Sequence, residues 1–474
     1  MKKGIIFCFS LFLLSVCSVF AETVMTIKEF YGGSVDFRAA IQTDAFYGSR
    51  GDGLRAGGTV STLDFHQSFT SYNPACLAFM KTATASLGLI PVSLGMDTGM
   101  IASFAGQSVE SIINENLEES FNDMTKTAGV TTSVDSIKGH IGQPPGITSL
   151  EIMVPFADNG AGFGIAREEK FTLEFDMLLN GAEMFINITD DENSVIDVDA
   201  RAKINALVNM DVRNVVTSFG LAKKITPIWA AGAVLERIES RFFADAGAQV
   251  DAIAEYSGNY YEFNTRPDNS LNAAAAGDLR AESWGIRFGT SLHSPDDSIE
   301  TAVDFSIQPE LKYKGRLDVK YHSIPDSIDI SDVTLTREET AEGTDKELKI
   351  KLPSFARVTL AWKPGVIIAF NYTHYFDPFY ISYGADKVHL TMMDAFRLGF
   401  NFGGFQLGGG IILSNEGTVI KNEDTGEVSK QTSWFPIPVL SMGMVIPFGK
   451  YIDAEMEFMA VPFPVLKSAV TYNF

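Results

Sequence analysis

The sequence has few cysteines, no excess of basic residues and, beyond its first 21 positions, no long apolar run. Only 3 cysteines occur in 474 residues, and Cys8 and Cys17 both lie within those first positions. The remaining Cys76 has no intramolecular partner, which excludes a secreted scaffold stapled by disulfides. The formal net charge is −22, from 59 acidic and 37 basic residues. This balance argues against a broad nucleic-acid-binding surface.

The missing apolar run contrasts with an apolar composition. Hydrophobic residues make up 46% of the chain and charged residues 20%, with a mean hydropathy of +0.08. Such a chain is too apolar to be disordered. After position 21 there is no stretch long enough for a transmembrane helix. The apolar side chains must therefore be arranged in another way.

The first 21 residues have the pattern of a secretory signal peptide. Lys2 and Lys3 supply the positive region, an apolar stretch follows over 5–19, and Ala21 offers a cleavage site. We expect residues 1–21 to be removed on export. Two alternatives are a retained anchor helix, for which the stretch is short, and a lipid on Cys17, which follows Val16 rather than a small residue.

Period-two alternation of apolar and polar residues recurs along the mature chain. In 283–292, for example, Trp284, Phe288 and Leu292 alternate with Arg287 and Ser291. Four more segments alternate in the same way: 170–179, 396–402, 452–458 and 466–474. This period predicts β-strands with one apolar and one polar face. It fits either a soluble β-sandwich or a membrane barrel with a polar lumen.

The connections between these segments favour the barrel, because tight and long connections alternate. Turn signals lie at 158–160, 223–227, 293–297, 363–365, 403–404 and 448–450. The intervening connections, most of them long and polar, are expected at 107–147, 181–200, 246–282, 323–347, 377–390, 415–432 and 461–465. Outer-membrane barrels arrange periplasmic turns and extracellular loops in this way. We therefore predict an all-β transmembrane antiparallel barrel of about 14 strands, with both ends on the periplasmic side.

The chain ends on Tyr472 and Phe474, which share one face of the last alternating segment. A terminal aromatic residue in this position resembles the signal that barrel-assembly machinery reads in outer-membrane proteins. We expect barrel-assembly machinery and outer-membrane lipid to be partners, and the outer membrane of a diderm bacterium to be the location.

Residues 22–81 lack the alternation and are rich in glycine and small residues, as in 48–53. Their composition differs from that of a charged or proline-rich linker, which favours packing. A wall of 14 strands encloses more space than its own side chains fill. We therefore expect 22–81 to be an N-terminal plug (hatch) in the lumen, and 82–474 to be the transmembrane barrel.

The sequence Asn73-Pro74-Ala75 lies near the end of this segment, just before the first predicted strand. It resembles a motif of the FadL-type outer-membrane transporters of long-chain fatty acids and other hydrophobic compounds. Their plug has an Asn-Pro-Ala motif just before the first barrel strand, usually continued by a small residue, Leu and Ala. The matching positions here are Asn73, Pro74, Ala75, Leu77 and Ala78, and Cys76 stands where glycine is common. The resemblance implies a divergent member with a plugged lumen, an apolar binding pocket and a lateral opening in the wall.

On this hypothesis the protein takes up a hydrophobic small molecule, most plausibly a long-chain fatty acid, by passive diffusion. Candidate ligand contacts are Phe65, Phe69 and Phe79 in the plug, and Arg287 and Arg397 on the polar phase of the strands, where either would meet a carboxylate. Apolar burial would hold the tail, at about 0.8 kcal/mol per CH₂.

Two other functions remain open. One is a general diffusion porin for small polar solutes, and the other is a non-transporting barrel that acts as an adhesin or docking partner. An enzyme is not expected, because the chain has neither a Gly-x-Ser-x-Gly elbow nor a phosphate-binding glycine loop before a helix. The six histidines show no metal-like spacing, so we expect no metal site and no cofactor.

Overall fold

A computed structural model describes most of the chain after residue 58. The described residues are 59, 61–63, 68–70, 72–92, 95–97, 128–142, 145–156, 160–189, 197–256, 259–263, 271–321, 341–342, 348–377, 379–383, 386–421, 428–461 and 465–474. Residues 1–58, Phe65 and the tips of most long connections lie outside them. No helix within these ranges is both long and apolar enough to cross a bilayer.

Within these ranges, twenty-one β-strands follow a short 3-10 helix, Pro74–Phe79. The first eleven strands are Thr84–Ile90 (β1), Gly95–Asp97 (β2), Ala128–Gly142 (β3), Gly146–Phe156 (β4), Ala161–Thr189 (β5), Asp197–Thr226 (β6), Trp229–Tyr256 (β7), Asn259–Phe263 (β8), Leu271–His293 (β9), Ile299–Ile307 (β10) and Glu310–Tyr321 (β11). The others are Ala341–Glu342 (β12), Leu348–Lys351 (β13), Phe355–Trp362 (β14), Ile367–Tyr375 (β15), Phe379–Tyr383 (β16), Asp386–Asn401 (β17), Phe405–Lys421 (β18), Val428–Phe448 (β19), Ile452–Val461 (β20) and Val465–Asn473 (β21).

The strands form one closed antiparallel barrel. Several strands are interrupted, so that β1 with β2, β3 with β4, β10 with β11, β13 with β14, and β15 with β16 each make one crossing, whereas β8 and β12 only add to the sheet beside β7 and β11. Each crossing pairs with the crossings before and after it along the chain, and β1 pairs with both β4 and β21, from Thr84↔Asn473 onward, which closes the wall. The wall therefore has 14 strands, and the predicted fold class and strand number are confirmed.

The tight turns lie at one end of the barrel, as predicted. β17 and β18 are joined around Gly403, whose φ is 78°, and β19 and β20 around Gly449, whose φ is 79°. Both ends of the barrel sequence lie at this same end, because Thr84 pairs with Asn473. One turn differs from the prediction, since β6 continues to Thr226 and reverses over residues 227–228 instead of 223–227.

The strands at the opposite end are much longer than the alternation indicated. β5 continues to Thr189, β6 begins at Asp197 and β7 continues to Tyr256, all within segments that were predicted to be loops. The predicted loop 246–282 also contains all of β8 and the start of β9, and four other predicted loops contain all of β3, β12 and β16 and the ends of β17, β18 and β19. Backbone pairing holds these extensions, in which the contrast between the two faces is weaker because small apolar residues such as Ala200 and Ala202 alternate with charged ones.

The side-chain phase is that of a membrane barrel. On β9 the outward Trp284, Phe288 and Leu292 are 51%, 46% and 48% exposed, whereas the inward Arg287 and Ser291 are 1% and 0% exposed. Among outward aromatic residues, those close to the tight turns include Trp229, Trp362, Phe402, Phe448, Tyr451, Tyr472 and Phe474. An outward apolar face with an aromatic girdle at its rim is what a barrel in the outer membrane of a diderm bacterium presents to lipid.

Ion pairs mark the other edge of the apolar band. Two residues beyond Trp284 and Leu235, the outward Glu282 accepts a hydrogen bond from Arg237 at 2.7 Å. Four residues further along each strand, Arg241 donates to Asp278 at 2.9 and 3.0 Å. The strands of β5, β6, β7 and β9 continue beyond this level, away from the tight turns.

Candidate functional site

The motif residues form the start of the 3-10 helix Pro74–Phe79. Asn73 precedes it in an extended conformation, and its side-chain oxygen accepts a hydrogen bond from the Ala75 N–H at 2.9 Å. Proline at the first helical position lacks only an N–H that would have no partner there. Pro74, Ala75, Leu77 and Ala78 are all buried. A capped helical turn, rather than a simple turn before a strand, is the local structure of the motif.

The Asn73 amide also binds the wall. Its nitrogen donates to the backbone oxygens of Thr290 on β9 at 2.8 Å and Val303 on β10 at 3.0 Å. Both donors and one acceptor site of this side chain are therefore divided between two wall strands and its own helix. We call residues 61–63, 68–70 and 72–80 the lumenal segment, because they contact inward-facing groups of the wall.

Five wall glycines, which we call the glycine seat, allow the lumenal segment to approach the wall backbone. They are Gly162 and Gly164 on β5, Gly220 on β6, Gly232 on β7 and Gly289 on β9. A Cβ at Gly164 or Gly220 would lie 2.6 Å from the Phe69 ring, and one at Gly232 would lie 2.7 Å from the Pro74 backbone. At Gly162 it would fall on the Leu77 carbonyl, and at Gly289 on the Asn73 side chain. No other residue type fits these positions without displacement of the segment.

Glu300, on the inward face of β10, holds the lumenal segment with a cluster of hydrogen bonds. It accepts from the Ser61 hydroxyl at 2.5 Å, the Thr62 N–H at 2.8 Å and the Tyr72 hydroxyl at 2.6 Å. The Thr62 hydroxyl and Ser291 add further contacts. Burial, together with the charge of Glu300, raises the pKa of the Tyr72 hydroxyl well above its usual value, so this group stays a donor.

Arg287, predicted from strand phase as an inward base, binds the lumenal segment. Its guanidinium donates to the backbone oxygens of Thr70 at 2.6 Å and Tyr72 at 3.3 Å, and it lies 3.7 Å from Glu236. A second inward arginine, Arg357, donates to both oxygens of Asp304, at 2.9 and 3.1 Å. Arg397 is inward and buried on β17, in register with Asn371 and Gly410, as the strand phase predicted.

The two described aromatic candidates pack against the wall. Phe69 is fully buried over Gly164 and Gly220. Phe79 stacks on His293, with ring centroids 3.9 Å apart, and the Lys224 ammonium lies 4.9 Å from its centre. Phe65 lies outside the described residues. For all the candidate ligand contacts, a role in binding a ligand stays a prediction.

Two apolar clusters line the inner face of the wall. One joins β6, β7, β9, β11 and β13 and consists of Val216, Ile238, Leu279, Ala281, Leu311, Tyr313, Leu348 and Ile350, with Leu352. The other joins β14, β15, β17, β18 and β19 and consists of Phe355, Tyr375, Ala395, Ile412 and Val439. Inward apolar side chains of this number are unusual in a water-filled pore, which has a polar interior.

Among the described residues, the strand pairing between the second and third crossings of the wall is interrupted. β4 pairs with β5 as far as Ser149↔Glu168, and β3 pairs with β5 from Gly142↔Glu174 onward. Residues 169–173 of β5 have no partner among the described residues of β3 and β4. Register shifts flank the interruption, between Gly88 and Leu89 on β1 and within 169–171 on β5. Bulges of this kind bend strands and end pairing locally.

Several of these residues were not identified from the sequence. Glu300, Tyr72 and the glycine seat have no motif, although glycines at alternate inward positions such as Gly162 and Gly164 were a visible signal of close backbone approach. Asp304 and Arg357 lie at polar positions in the alternation of their strands, but no sequence pattern predicts that these two residues bind each other. Within the described ranges, no group of His, Cys, Asp or Glu side chains could hold a metal ion.

Comparison with known proteins gives structural matches only. No family model and no curated protein matches the sequence. A solved structure of a Pseudomonas aeruginosa FadL homologue is 12% identical, with a TM-score of 0.47, and the match covers 90% of this chain and 98% of the other. The Ralstonia pickettii toluene transporter TbuX is 11% identical, with a TM-score of 0.42 and coverages of 90% and 97%. The TodX monoaromatic hydrocarbon channel, in a deletion mutant, is 11% identical, with a TM-score of 0.45 and coverages of 91% and 99%. The chain is thus similar in structure, over nine-tenths of its length, to a FadL homologue and to a transporter and a channel of aromatic hydrocarbons.

Proposed function

We propose that this protein is a divergent FadL-type transporter that takes up hydrophobic small molecules across the outer membrane by passive diffusion. The observation that carries the proposal is the pair of inward apolar clusters in a barrel whose lumen also holds the lumenal segment. A general porin needs a wide polar passage, and neither feature serves one. Transport by such a barrel needs no catalytic group.

We further propose that residues 22–81 form one plug, of which the lumenal segment is the fixed part. The glycine seat, the Asn73 bonds and the Glu300 bonds support this, because together they attach the segment to β5, β6, β7, β9 and β10. Residues 1–21 would be removed as a signal peptide. Tyr472 and Phe474 would be read by the barrel-assembly machinery, and their outward, stacked rings are accessible from the lipid side.

Long-chain fatty acids are the ligands that we propose. An alkyl chain bound along the inward clusters would gain about 0.8 kcal/mol for each CH₂ that leaves water. A ligand with low solubility requires such an apolar site, because an aqueous channel would not concentrate it. We propose that the interruption between β4 and β5 is where the ligand leaves the lumen toward the bilayer.

The test is ligand binding by the full-length protein in lipid nanodiscs, with a fluorescent fatty acid as the probe. We expect saturable binding and almost no steady conductance in planar bilayers. Leu348→Asn, on the inward face of β13, is expected to weaken binding roughly tenfold, since burial of a leucine is worth about 1.5–3 kcal/mol. Lys349→Asn, at the next and outward position, is the matched control. A large steady conductance without lipid binding would support the porin, and co-purification of a stoichiometric protein partner without binding would support the docking barrel.

A further inference from the structure

Carboxylates outnumber bases inside the barrel. In the part of the chain that the structure describes, eight acidic side chains but only four lysine and arginine side chains are buried, and all of them face inward. A ligand with a negative charge would therefore enter an interior that already has an excess of negative charge. This observation deepens the proposed function and rests on it, because it concerns the chemical class of the ligand that the apolar clusters would bind.

The four buried bases already have partners within the protein. Arg357 binds Asp304 through two hydrogen bonds, and Arg287 binds two carbonyls of the lumenal segment beside Glu236. Arg397 and Lys467 are engaged as well, and Lys467 lies opposite Glu457 in the register of β20 and β21. A ligand carboxylate would compete with these contacts for the same guanidinium or ammonium groups, and a contact that it displaced would leave a buried carboxylate or carbonyl without its donor, which is costly.

The remaining buried carboxylates lie on several strands around the lumen. Asp453 and Glu455 lie with Glu457 at alternate inward positions of β20, Glu151 is on β4, Glu168 on β5 and Glu300 on β10. Their partners among the described residues include neutral donors: Ser68 for Glu151, Asn473 for Asp453 and Thr471 for Glu455. His293, which is buried, lies between Thr62 and Asp297 at the end of β9.

We infer that the barrel binds and passes its ligand in the uncharged form, so that a fatty acid crosses as the protonated acid. Transfer of a carboxylate into an apolar interior removes its hydration, and neighbouring carboxylates repel it. Both effects raise the pKa of a carboxyl group, and the neutral acid keeps the full contact of its tail with the apolar clusters. An alcohol with the same alkyl chain should therefore be the better ligand near neutral pH.

The experiment compares three ligands with the same alkyl chain, an alkanol, an alkanoic acid and an alkylamine, by displacement of a neutral fluorescent alkyl probe. The full-length protein in nanodiscs of zwitterionic lipid is used at about pH 8 and about pH 6, and protein-free nanodiscs correct for partition into lipid. We expect the alkanol to bind equally at both pH values, and the amine, whose charge the carboxylates attract rather than repel, to bind more weakly than the alkanol but more tightly than the acid at the higher pH. The acid should bind more weakly than the alkanol at the higher pH and strengthen by up to about tenfold per pH unit on acidification.

A variant with fewer carboxylates separates lumenal charge from other causes. Glu455→Gln with Glu457→Gln should bring the acid several-fold closer to the alkanol at the higher pH and leave alkanol affinity unchanged, which also shows that the variant is folded. Glu282→Gln, on the outward face, should change neither. Acid binding as tight as that of the alkanol at the higher pH would overturn the inference and leave the proposed function standing. If none of the three ligands displaces the probe, the proposed function fails and the inference fails with it.

Discussion

The two sides of the lumen differ in what they contact. The side formed by β5, β6, β7, β9 and β10 has the glycine seat, Asn73 and Glu300, so that the lumenal segment reaches the wall backbone itself. The side formed by β20 and β21 has four charged inward side chains: Asp453, Glu455 and Glu457 on β20, and Lys467 on β21. The first side allows a backbone segment to approach closely, and the second presents charged side chains to the lumen. On the proposed function, one side of the lumen attaches the lumenal segment and the other determines which charge the ligand can carry.

The largest expected effect comes from Glu300→Ala on the attachment side. The substitution leaves the donors of Ser61, Thr62 and Tyr72 buried without an acceptor, and each buried donor left unsatisfied costs about 1–3 kcal/mol. We expect the lumenal segment to detach, which would appear as protease cleavage before residue 80 and as a rise in bilayer conductance.

Thr301→Ala changes the next and outward position of β10 and is the control for that experiment. It should keep the protease resistance and low conductance of the native protein. If the Glu300→Ala protein resists the protease and keeps a low bilayer conductance, the other contacts suffice to hold the segment.

A smaller effect is expected from Gly162→Ala combined with Gly232→Ala. Each added methyl group would meet the backbone of the lumenal segment, at Leu77 or at Pro74, and overpacking of this kind costs about 1–3 kcal/mol per site. The free energy of unfolding, from urea titrations in lipid vesicles, should fall accordingly. Gly285→Ala is the matched control, because its Cβ would have no neighbour closer than 3.4 Å. Equal losses in both variants would contradict a glycine seat.

Asn73→Ala should cost less, about 1–2 kcal/mol. It removes the helix cap and the two hydrogen bonds that the side chain donates to the backbone carbonyls of Thr290 and Val303 in the wall. The same urea titrations measure the loss. Asn73→Asp keeps the cap acceptor but turns a carboxylate oxygen toward the two wall carbonyls, which repel it, so it should be less stable than Asn73→Ala. An aspartate variant as stable as the native protein would show that the wall bonds contribute nothing.

The smallest effect is expected on the outer surface, at Asp278→Asn. This residue pairs with Arg241 in a half-exposed ion pair beyond the apolar band, and such pairs add little to stability. We expect no measurable change in unfolding, in ligand binding or in conductance. A clear loss of stability would mean that the extended strands beyond the band contribute to the barrel as a whole.

The sequence was most informative where the membrane imposes a contrast between the two faces of a strand. The inward placement of Arg287 and Arg397 and the outward placement of Trp284 and Phe396 followed from the period of two. The same reasoning missed the ends of β5, β6 and β7, because small and charged residues are frequent there and the alternation of 198–204 and 246–254 has a weaker contrast in hydrophobicity than that of the apolar band. It also placed Asn73 in a short motif without any indication that the motif binds β9 and β10.

The sequence by itself determined the barrel, its strand number and the side of each strand that meets lipid, because these depend on local alternation and turn residues. Only the tertiary structure decided which inward groups meet. Glu300 and Ser61 are 239 positions apart, and Asn73 lies 217 positions from the Thr290 carbonyl that it binds. Such contacts depend on how the wall curves and on where the lumenal segment rests within it. The clearest consequence is that Arg287, an obvious candidate for a ligand carboxylate in the sequence, binds the lumenal segment in the folded protein.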